Sequence, residues 1–187
     1  MGEVIDFREY LKKRAQKKKF VIPLHNNFIT SGELWALVGR NAQLEPLLKK
    51  LLLTIKRQNL FCLHYSSDNL SQQNLTPNFK ESKIKPKQIL KELLKVKEPG
   101  VVIIGSASIL EPDFENPAGI YDSNSWEKIF TALENIMKIS SWSGIILFRK
   151  DICRKDAEIC PYLTEFSIRK RFSRIWHLGE EVRLQKS

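Results

Sequence analysis

The sequence predicts an α/β domain: a mostly parallel, twisted sheet flanked by helices and extended near the C-terminus by short antiparallel strands. Short apolar runs alternate along the chain with amphipathic stretches of helical periodicity, and Gly-, Pro- and Asn-rich segments separate them. Strands that are apolar on both faces are typical of a parallel sheet covered by helices on both sides. The 187 residues, of which 42% are hydrophobic, are enough for one domain with a buried core.

Four segments have the composition of buried strands. The most strand-like is Val101-Val102-Ile103-Ile104, which is β-branched and bounded by turn-forming residues. The others span residues 33–38, 60–65 and 143–148. Between residues 165 and 184, short alternations of apolar and polar residues predict the antiparallel strands.

Three amphipathic helices are predicted over residues 44–55, 87–96 and 125–139. Pro46 is compatible with the first of them only if it lies in the first turn. Residues 66–86 and 111–124 are rich in turn-forming residues and predict surface loops, and residues 149–161 are polar with mixed charge.

The N-terminal 20 residues are predicted to form a basic helix or arm that is separate from a core domain at residues 21–187. The cations of this arm are Lys12, Lys13, Arg14, Lys17, Lys18 and Lys19. So dense a run repels itself and frays unless a partner neutralises it. It is therefore either an anion-binding arm or a solvated tail.

The net charge of +10 is large for a domain of this size. Such a field attracts polyanions, with nucleic acid the first candidate and anionic lipid or acidic protein the second, although it also serves solubility alone. No apolar run is long enough to span a membrane and no signal sequence is evident, so we expect a cytoplasmic protein. Three cysteines and three scattered histidines predict neither a disulfide scaffold nor a metal site.

The turn after the first buried strand is where an α/β nucleotide-binding domain holds phosphate, through the pattern G-x-x-x-x-G-K-[ST]. Gly39 supplies the first glycine, but Leu44, Glu45 and Pro46 stand where the second glycine, the lysine and the hydroxyl belong. One like-charge contact of Glu45 with phosphate near 4 Å would cost about 4 kcal/mol at an effective dielectric constant of 20. The sequence therefore predicts no tight ATP site here, and the segment is either a degenerate phosphate loop or a turn that never bound phosphate.

The run from Ile29 to Gly39, Ile-Thr-Ser-Gly-Glu-Leu-Trp-Ala-Leu-Val-Gly, resembles the lead-in to the phosphate loop of the RecA/RadA/KaiC superfamily. Further on, Gly105-Ser106 resembles the Asp-Ser of the second nucleotide motif of that superfamily, with glycine in place of the aspartate that helps to hold the magnesium-bound water. The stretch from Arg174 to Leu184 is similar to its closing strands, where RadB-like paralogues carry a tryptophan. The resemblance implies a RecA-like core over residues 24–185 with both nucleotide motifs degenerate.

The same resemblance implies a DNA-contacting loop after the strand at residues 145–148. It places four basic residues near that loop: Arg149, Lys150, Arg154 and Lys155. A second basic cluster near the C-terminus adds further positive charge: Arg169, Lys170, Arg171 and Arg174. Tyr162, Phe166 and Phe172 are candidates for stacking on bases, although aromatic side chains at such spacing more often belong to the core.

The expected function is that of a non-catalytic RecA-like recombinase paralogue, a pseudo-ATPase without a cofactor. It would bind DNA and would pair with another RecA-family protein or with itself in recombination and repair. The alternative is a protein-interaction regulator of the same fold that does not bind DNA and resembles RecA-like cell-division inhibitors. In that alternative the interface anchors would be Trp35, Trp126, Trp142 and Trp176.

Overall fold

A computed structural model describes residues 19–24, 27–66, 78–79, 83–115, 121–151 and 154–179. The strands are β1 (Val21–Leu24), β2 (Asn27–Thr30), β3 (Leu34–Gly39), β4 (Phe61–Tyr65), β5 (Asn78–Phe79), β6 (Gly100–Ile104), β7 (Ser143–Arg149) and β8 (Arg174–His177). The α-helices are α1 (Asn41–Arg57), α2 (Pro86–Lys95), α3 (Ser123–Ser140), α4 (Arg154–Ile159) and α5 (Phe166–Arg169), and Ala107–Ile109 and Cys160–Thr164 form 3₁₀ helices.

Six strands form one sheet in the order β5-β4-β6-β7-β3-β8, and every pairing within it is parallel. The predicted strands are confirmed as β3, β4, β6 and β7, and three of them are buried along their whole length. Because the strands are parallel, β3, β4, β6, β7 and β8 all finish at one edge of the sheet. We call the ends of these strands and the turns that follow them the carboxyl edge.

The two faces of the sheet bury separate apolar clusters, as expected for a parallel sheet covered on both sides. On one face, Ala36 and Val102 pack with residues of α2 and α3 such as Ile89 and Phe130. On the other face, Leu37, Ile103 and Ile145 pack against α1 and the β1–β2 hairpin. Alternate residues of each strand serve the two faces, which explains why the strands are apolar throughout.

The predicted antiparallel strands near the C-terminus are wrong for the described residues. β8 pairs parallel with β3, with Trp35 opposite Arg174, and Phe166 lies in helix α5. The buried side chains Leu163, Ile168 and Phe172 lie in a 3₁₀ helix, in α5 and in a bend, respectively, and none of them lies in a strand. The predicted strand segment at residues 182–184 lies outside the described residues.

The antiparallel β1–β2 hairpin was not predicted. Its strands are only four residues long and β1 contains Pro23, so the local signal for a strand is weak. Ile22, Leu24 and Ile29 point into the same cluster as α1. The hairpin therefore covers the part of the sheet that α1 leaves open.

The helices agree with the predicted segments apart from their ends. α3 begins two residues earlier than predicted, after Asp122, whose carboxylate accepts the N–H of Ser125 at 2.8 Å, and it ends at Ser141 with φ 57°. α4 lies within the polar segment 149–161, where no helix was predicted. None of the helices in the described part of the chain is long and apolar enough to cross a membrane.

We predict that Gly100→Ala destabilises the domain, because a Cβ at this position would lie 2.4 Å from the carbonyl oxygen of Phe61 and 2.8 Å from the ring of Trp142. We expect the free energy of unfolding to fall by about 1–3 kcal/mol, as in other overpacked cores. Urea denaturation measures the change, with the exposed Lys91→Ala as the control. Equal stability of Gly100→Ala and the wild type would contradict the close packing of β4 on β6.

Candidate functional site

At the carboxyl edge, the turn from β3 to α1 has no room for a phosphate loop. β3 ends at Gly39, and α1 begins at Asn41 after the single residue Arg40. The N–H of Arg40 donates to Oε1 of Gln43 at 2.9 Å, which closes the first turn of the helix. Residues that would form the loop between the two glycines of the nucleotide pattern are helical instead.

The first amide of α1 already binds an anion, and that anion belongs to the protein. The N–H of Asn41 donates to Oδ1 of Asp151 at 2.8 Å, and the side-chain amide of Asn41 donates to Oε1 of Glu45 at 2.7 Å. A helix N-terminus favours negative charge through its free N–H groups and its dipole. Asp151 thus occupies the position at which a phosphate would be stabilised, and sequence reasoning missed it.

The residues predicted for the degenerate phosphate loop do not form a loop. Leu44 is buried in the core beneath α1, Glu45 is half-buried, and Pro46 is exposed. Pro46 lies in the second turn of α1, so the prediction that it requires the first turn is wrong. Its missing N–H deprives the carbonyl group of Ala42 of a helical hydrogen bond, a loss that is confined to the exposed side of the helix.

The second degenerate motif is packed as tightly as the first. The N–H of Gly105 donates to the carbonyl oxygen of Tyr65 at 2.7 Å. A Cβ at Gly105 would lie 3.1 Å from Oγ of Ser66, so an aspartate here would require Ser66 to move. Ser106 is buried and donates its hydroxyl to Asp156 at 2.8 Å. The two residues of this motif are therefore used to hold the carboxyl edge together.

Asp156 is the centre of this arrangement, and no pattern in the sequence pointed to it. It lies in the first turn of α4 and is fully buried. Besides the Ser106 hydroxyl, its carboxylate accepts the N–H of Ser108 at 2.7 Å and the N–H of Arg149 at 3.2 Å. Burial raises the pKa of Asp156 above its usual value, although these hydrogen bonds oppose the shift.

Arg149 was predicted to contact DNA, and the structure contradicts this. Its side chain lies at the end of β7, and only 3% of the residue is exposed. Its Nε donates to the carbonyl oxygen of Gly105 at 2.9 Å, and Nη1 donates to Oδ1 of Asn41 at 2.8 Å. One guanidinium therefore joins the two degenerate motifs. A cation in a polar segment usually lies at the surface, which is why the sequence suggested exposure.

His64 on β4 is a second buried group near this cation. Its Nε2 atom has no hydrogen-bond partner among the described residues. Burial, with a smaller contribution from the charge of Arg149, lowers the pKa of His64 to about 4. The imidazole is therefore neutral in the folded domain at physiological pH.

The other residues predicted to contact DNA differ in exposure and in ion pairing. Lys12, Lys13, Arg14, Lys17 and Lys18 lie outside the described residues, as does the side chain of Arg154. Lys19, Lys150, Lys155, Arg169, Lys170 and Arg174 are exposed. Arg171 is different, because its guanidinium is 2.9 Å from Oε1 of Glu127 and 3.7 Å from Oε2 of Glu134 on α3. The charge of Arg171 is thus compensated within the domain.

The aromatic side chains predicted to stack on bases also differ in exposure. Phe172 is buried against Phe130 and Phe148, whereas Phe166 is 79% exposed. Lys170 lies over the Phe166 ring, 5.5 Å from its centroid. Arg174 lies 5.4 Å from the centroid of the Trp35 ring and donates to the Asn27 side chain. An open groove of about 530 Å³ at the start of β8 has Phe166, Lys170, Phe172 and Arg174 among its lining residues.

The tryptophans proposed as interface anchors are mostly unsuitable. Trp35, Trp126 and Trp142 are buried in the core, and Trp176 is half-buried. Their size explains their place in the core, because an indole buries more apolar area than most side chains. The alternative based on tryptophan anchors is therefore wrong for these three residues.

The parallel sheet covered by helices on both faces makes this an α/β domain, and solved structures share its fold. One solved structure of an ATPase domain has a TM-score of 0.59 with this chain at 10% identity, covering 79% of this chain and 69% of that one. A structure of a DnaB-like replicative helicase and its interactions with primase has a TM-score of 0.51 at 10% identity and covers 63% of this chain. This chain spans only 38% of that helicase chain. No protein-family model and no curated protein matches the sequence.

The predicted RecA-like fold is therefore confirmed. At this identity the likeness concerns the fold and not the activity. The solved structures above are an ATPase domain and a DnaB-like replicative helicase, whereas the sequence motifs suggested a recombinase paralogue. That narrower assignment stays a prediction.

We predict that His64 makes the domain less stable in mild acid. The unfolded chain binds a proton near pH 6.5, whereas the folded chain resists protonation until about pH 4. The unfolded state therefore gains protons first as the pH falls, and stability is lost between these two values. By this linkage the free energy of unfolding should fall by roughly 2–3 kcal/mol between pH 7 and pH 4.5.

Urea denaturation at the two pH values tests this prediction. His64→Leu should remove most of the pH-dependent loss, since it eliminates the titrating group and the unpaired Nε2 atom. His177→Gln, at an exposed position on β8, is the matched control and should retain the loss. The same pH dependence in His64→Leu and the wild type would contradict the assignment.

Proposed function

We propose that this protein is a RecA-like domain that does not hydrolyse ATP and that binds DNA as an accessory factor in recombination or repair. The observation that supports the absence of ATP hydrolysis is the hydrogen bond from the first N–H of α1 to the Asp151 carboxylate. A triphosphate at this position would have to displace that carboxylate and lie beside Glu45. No lysine or hydroxyl group occupies the corresponding position in α1 to favour the exchange.

DNA binding is supported by the groove at the start of β8. Arg169, Lys170 and Arg174 line it together with Phe166. Cations that contact phosphates supply salt-dependent, sequence-independent affinity, and an exposed aromatic ring offers a face for stacking on an unpaired base.

A role beside another RecA-family protein, or in a self-assembly, follows from the resemblance to RadB-like paralogues. A domain that cannot turn over ATP would depend on an active partner for any work on DNA. Recombination and repair are the processes that this resemblance suggests. Co-purification with an active RecA-family ATPase would support this part of the proposal.

The second candidate function is that of a protein-interaction regulator. The observation that favours it is an exposed apolar face and not the tryptophans considered as interface anchors. The outer face of the β1–β2 hairpin exposes Val21 and Phe28, the latter 63% accessible. Val21 pairs with Thr30 and Pro23 with Phe28, so the two apolar side chains share one face. A partner protein bound there without nucleic acid would favour this candidate.

We predict that the purified protein does not hydrolyse ATP above the background rate. The physical reason is that the Asp151 carboxylate already accepts the first N–H of α1 and that Glu45 brings a second carboxylate close to it. Phosphate release with magnesium and ATP measures the rate, and Asp151→Ala is the informative variant. Appreciable hydrolysis that Glu45→Ala or Asp151→Ala abolishes would overturn the non-catalytic assignment.

We predict that the double variant Arg169→Glu/Lys170→Glu binds DNA at least about tenfold more weakly than the wild type in low salt. The slope of log affinity against log salt concentration should become shallower by the amount expected for the loss of roughly two phosphate contacts. Fluorescence anisotropy with labelled single-stranded and duplex DNA measures both quantities. Lys49→Glu/Lys50→Glu on the exposed side of α1 makes the same change in net charge and is the matched control.

A further variant separates stacking from charge. Phe166→Ala should weaken binding to single strands by about 1–3 kcal/mol, the usual contribution of one stacked base, and should leave duplex binding unchanged. If the two double variants weaken binding equally, the groove is not the contact surface. If the wild type binds neither DNA at low ionic strength, the DNA-binding half of the proposal is wrong.

A further inference from the structure

A second concavity lies on the opposite face of the sheet from α1. Its volume is about 360 Å³, within the range of cavities that hold small ligands. The residues around it come from segments that follow the carboxyl ends of β5, β6 and β7. Ligands of open α/β sheets bind outside these ends, and this cavity is separate from the closed turn at the start of α1.

The walls of this cavity are aromatic. Tyr121, Trp126 and Tyr162 line it, and the Tyr121 and Trp126 rings meet edge to face with centroids 5.7 Å apart. Trp126 is fixed from behind by stacking on Phe130. Tyr121 and Tyr162 are half-buried, so part of each ring is accessible from the cavity. Such walls suit a flat ring that can stack on them.

The polar groups at the rim are few and of complementary types. Lys83 is 2.7 Å from Glu111, so its charge is compensated. Lys155 also lines the cavity, and it makes no ion pair with any residue in the described ranges. Glu158, one helical turn further along α4, brings a carboxylate to the same rim. The rim thus brings a lysine and a carboxylate of α4 to the mouth of the cavity.

We propose that this cavity binds a nucleotide, with the base stacked between the tyrosine rings, the phosphate at Lys155 and the ribose hydroxyls at Glu158. Carboxylates accept hydrogen bonds from ribose hydroxyls in other α/β domains, and lysine is a common point-charge partner of phosphate. A single lysine suits a monophosphate better than a triphosphate. The ligand is either a free nucleoside monophosphate or the phosphorylated end of a strand, which present the same chemistry. This inference does not depend on the proposed DNA groove.

Isothermal titration calorimetry of the full chain with AMP, GMP, CMP and UMP tests the proposal. At least one of them should bind saturably with one site per chain, and the matching nucleoside without phosphate should bind at least about tenfold more weakly, since it forgoes the charge-assisted contact with Lys155. A dinucleotide with a 5′-phosphate, compared with the same dinucleotide without it, distinguishes a strand end from a free nucleotide. Saturable binding of none of these ligands at millimolar concentration would overturn the proposal.

Substitutions at Lys155 and Tyr162, with two control variants elsewhere, locate the site. Lys155→Glu should weaken binding of the monophosphate at least about tenfold, and Lys91→Glu, an equal charge change on the exposed side of α2, should not. Tyr162→Phe should bind like the wild type because it keeps the ring, whereas Tyr162→Leu should lose affinity. Arg169→Glu/Lys170→Glu should leave the affinity unchanged, which separates this cavity from the DNA groove. Equal effects of Lys155→Glu and Lys91→Glu, or loss of binding only in the groove variant, would contradict the assignment.

Discussion

The carboxyl edge of this sheet is held together by the buried carboxylate of Asp156 and the buried guanidinium of Arg149. Asp156 accepts the Ser106 hydroxyl and the main-chain N–H groups of Ser108 and Arg149, so it ties the end of β6 to the end of β7. Arg149 extends the link to Gly105 and to Asn41 at the start of α1. Removing one member of a buried charged network leaves the others uncompensated, which costs far more than losing a surface ion pair. The geometry of the whole edge therefore depends on these two side chains.

The consequence is a carboxyl edge whose polar groups pair with one another. In a domain that uses ATP, free amides at the helix start and a cation aimed at phosphate await an anion from solution. Here Asp151 supplies that anion, and Arg149 is committed to internal acceptors. Glu45 accepts a hydrogen bond from the side-chain amide of Asn41, and Pro46 lies on the exposed side of α1.

The sequence predicted the parallel strands and most of the helices because long apolar runs and helical periodicity are local signals. It did not predict that β8 runs parallel to β3, since the apolar residues Ile175 and Trp176 carry no information on strand direction. The Gly39 and Gly105 positions were found from motif spacing. Asp156 was not, because an acid in a mixed-charge segment normally lies in solvent. The burial of Arg149 depends on Gly105 and Asn41, more than forty residues away in each case, and no local pattern reports such a contact.

The distribution of charge links this closed edge to the rest of the surface. Arg171 is paired with carboxylates of α3, and Arg149 is buried. Other side chains therefore carry the net charge of +10 at the surface, and the exposed cations Lys155, Arg169 and Lys170 are among them. Exposed cations act on polyanions through a long-range field that salt screens, whereas a buried cation acts only on its neighbours. The position of these exposed cations is set by α4, α5 and the turn that follows α5. Any ligand of this protein would be selected by what accompanies those cations, an exposed phenylalanine in one place and a tyrosine-lined cavity in another.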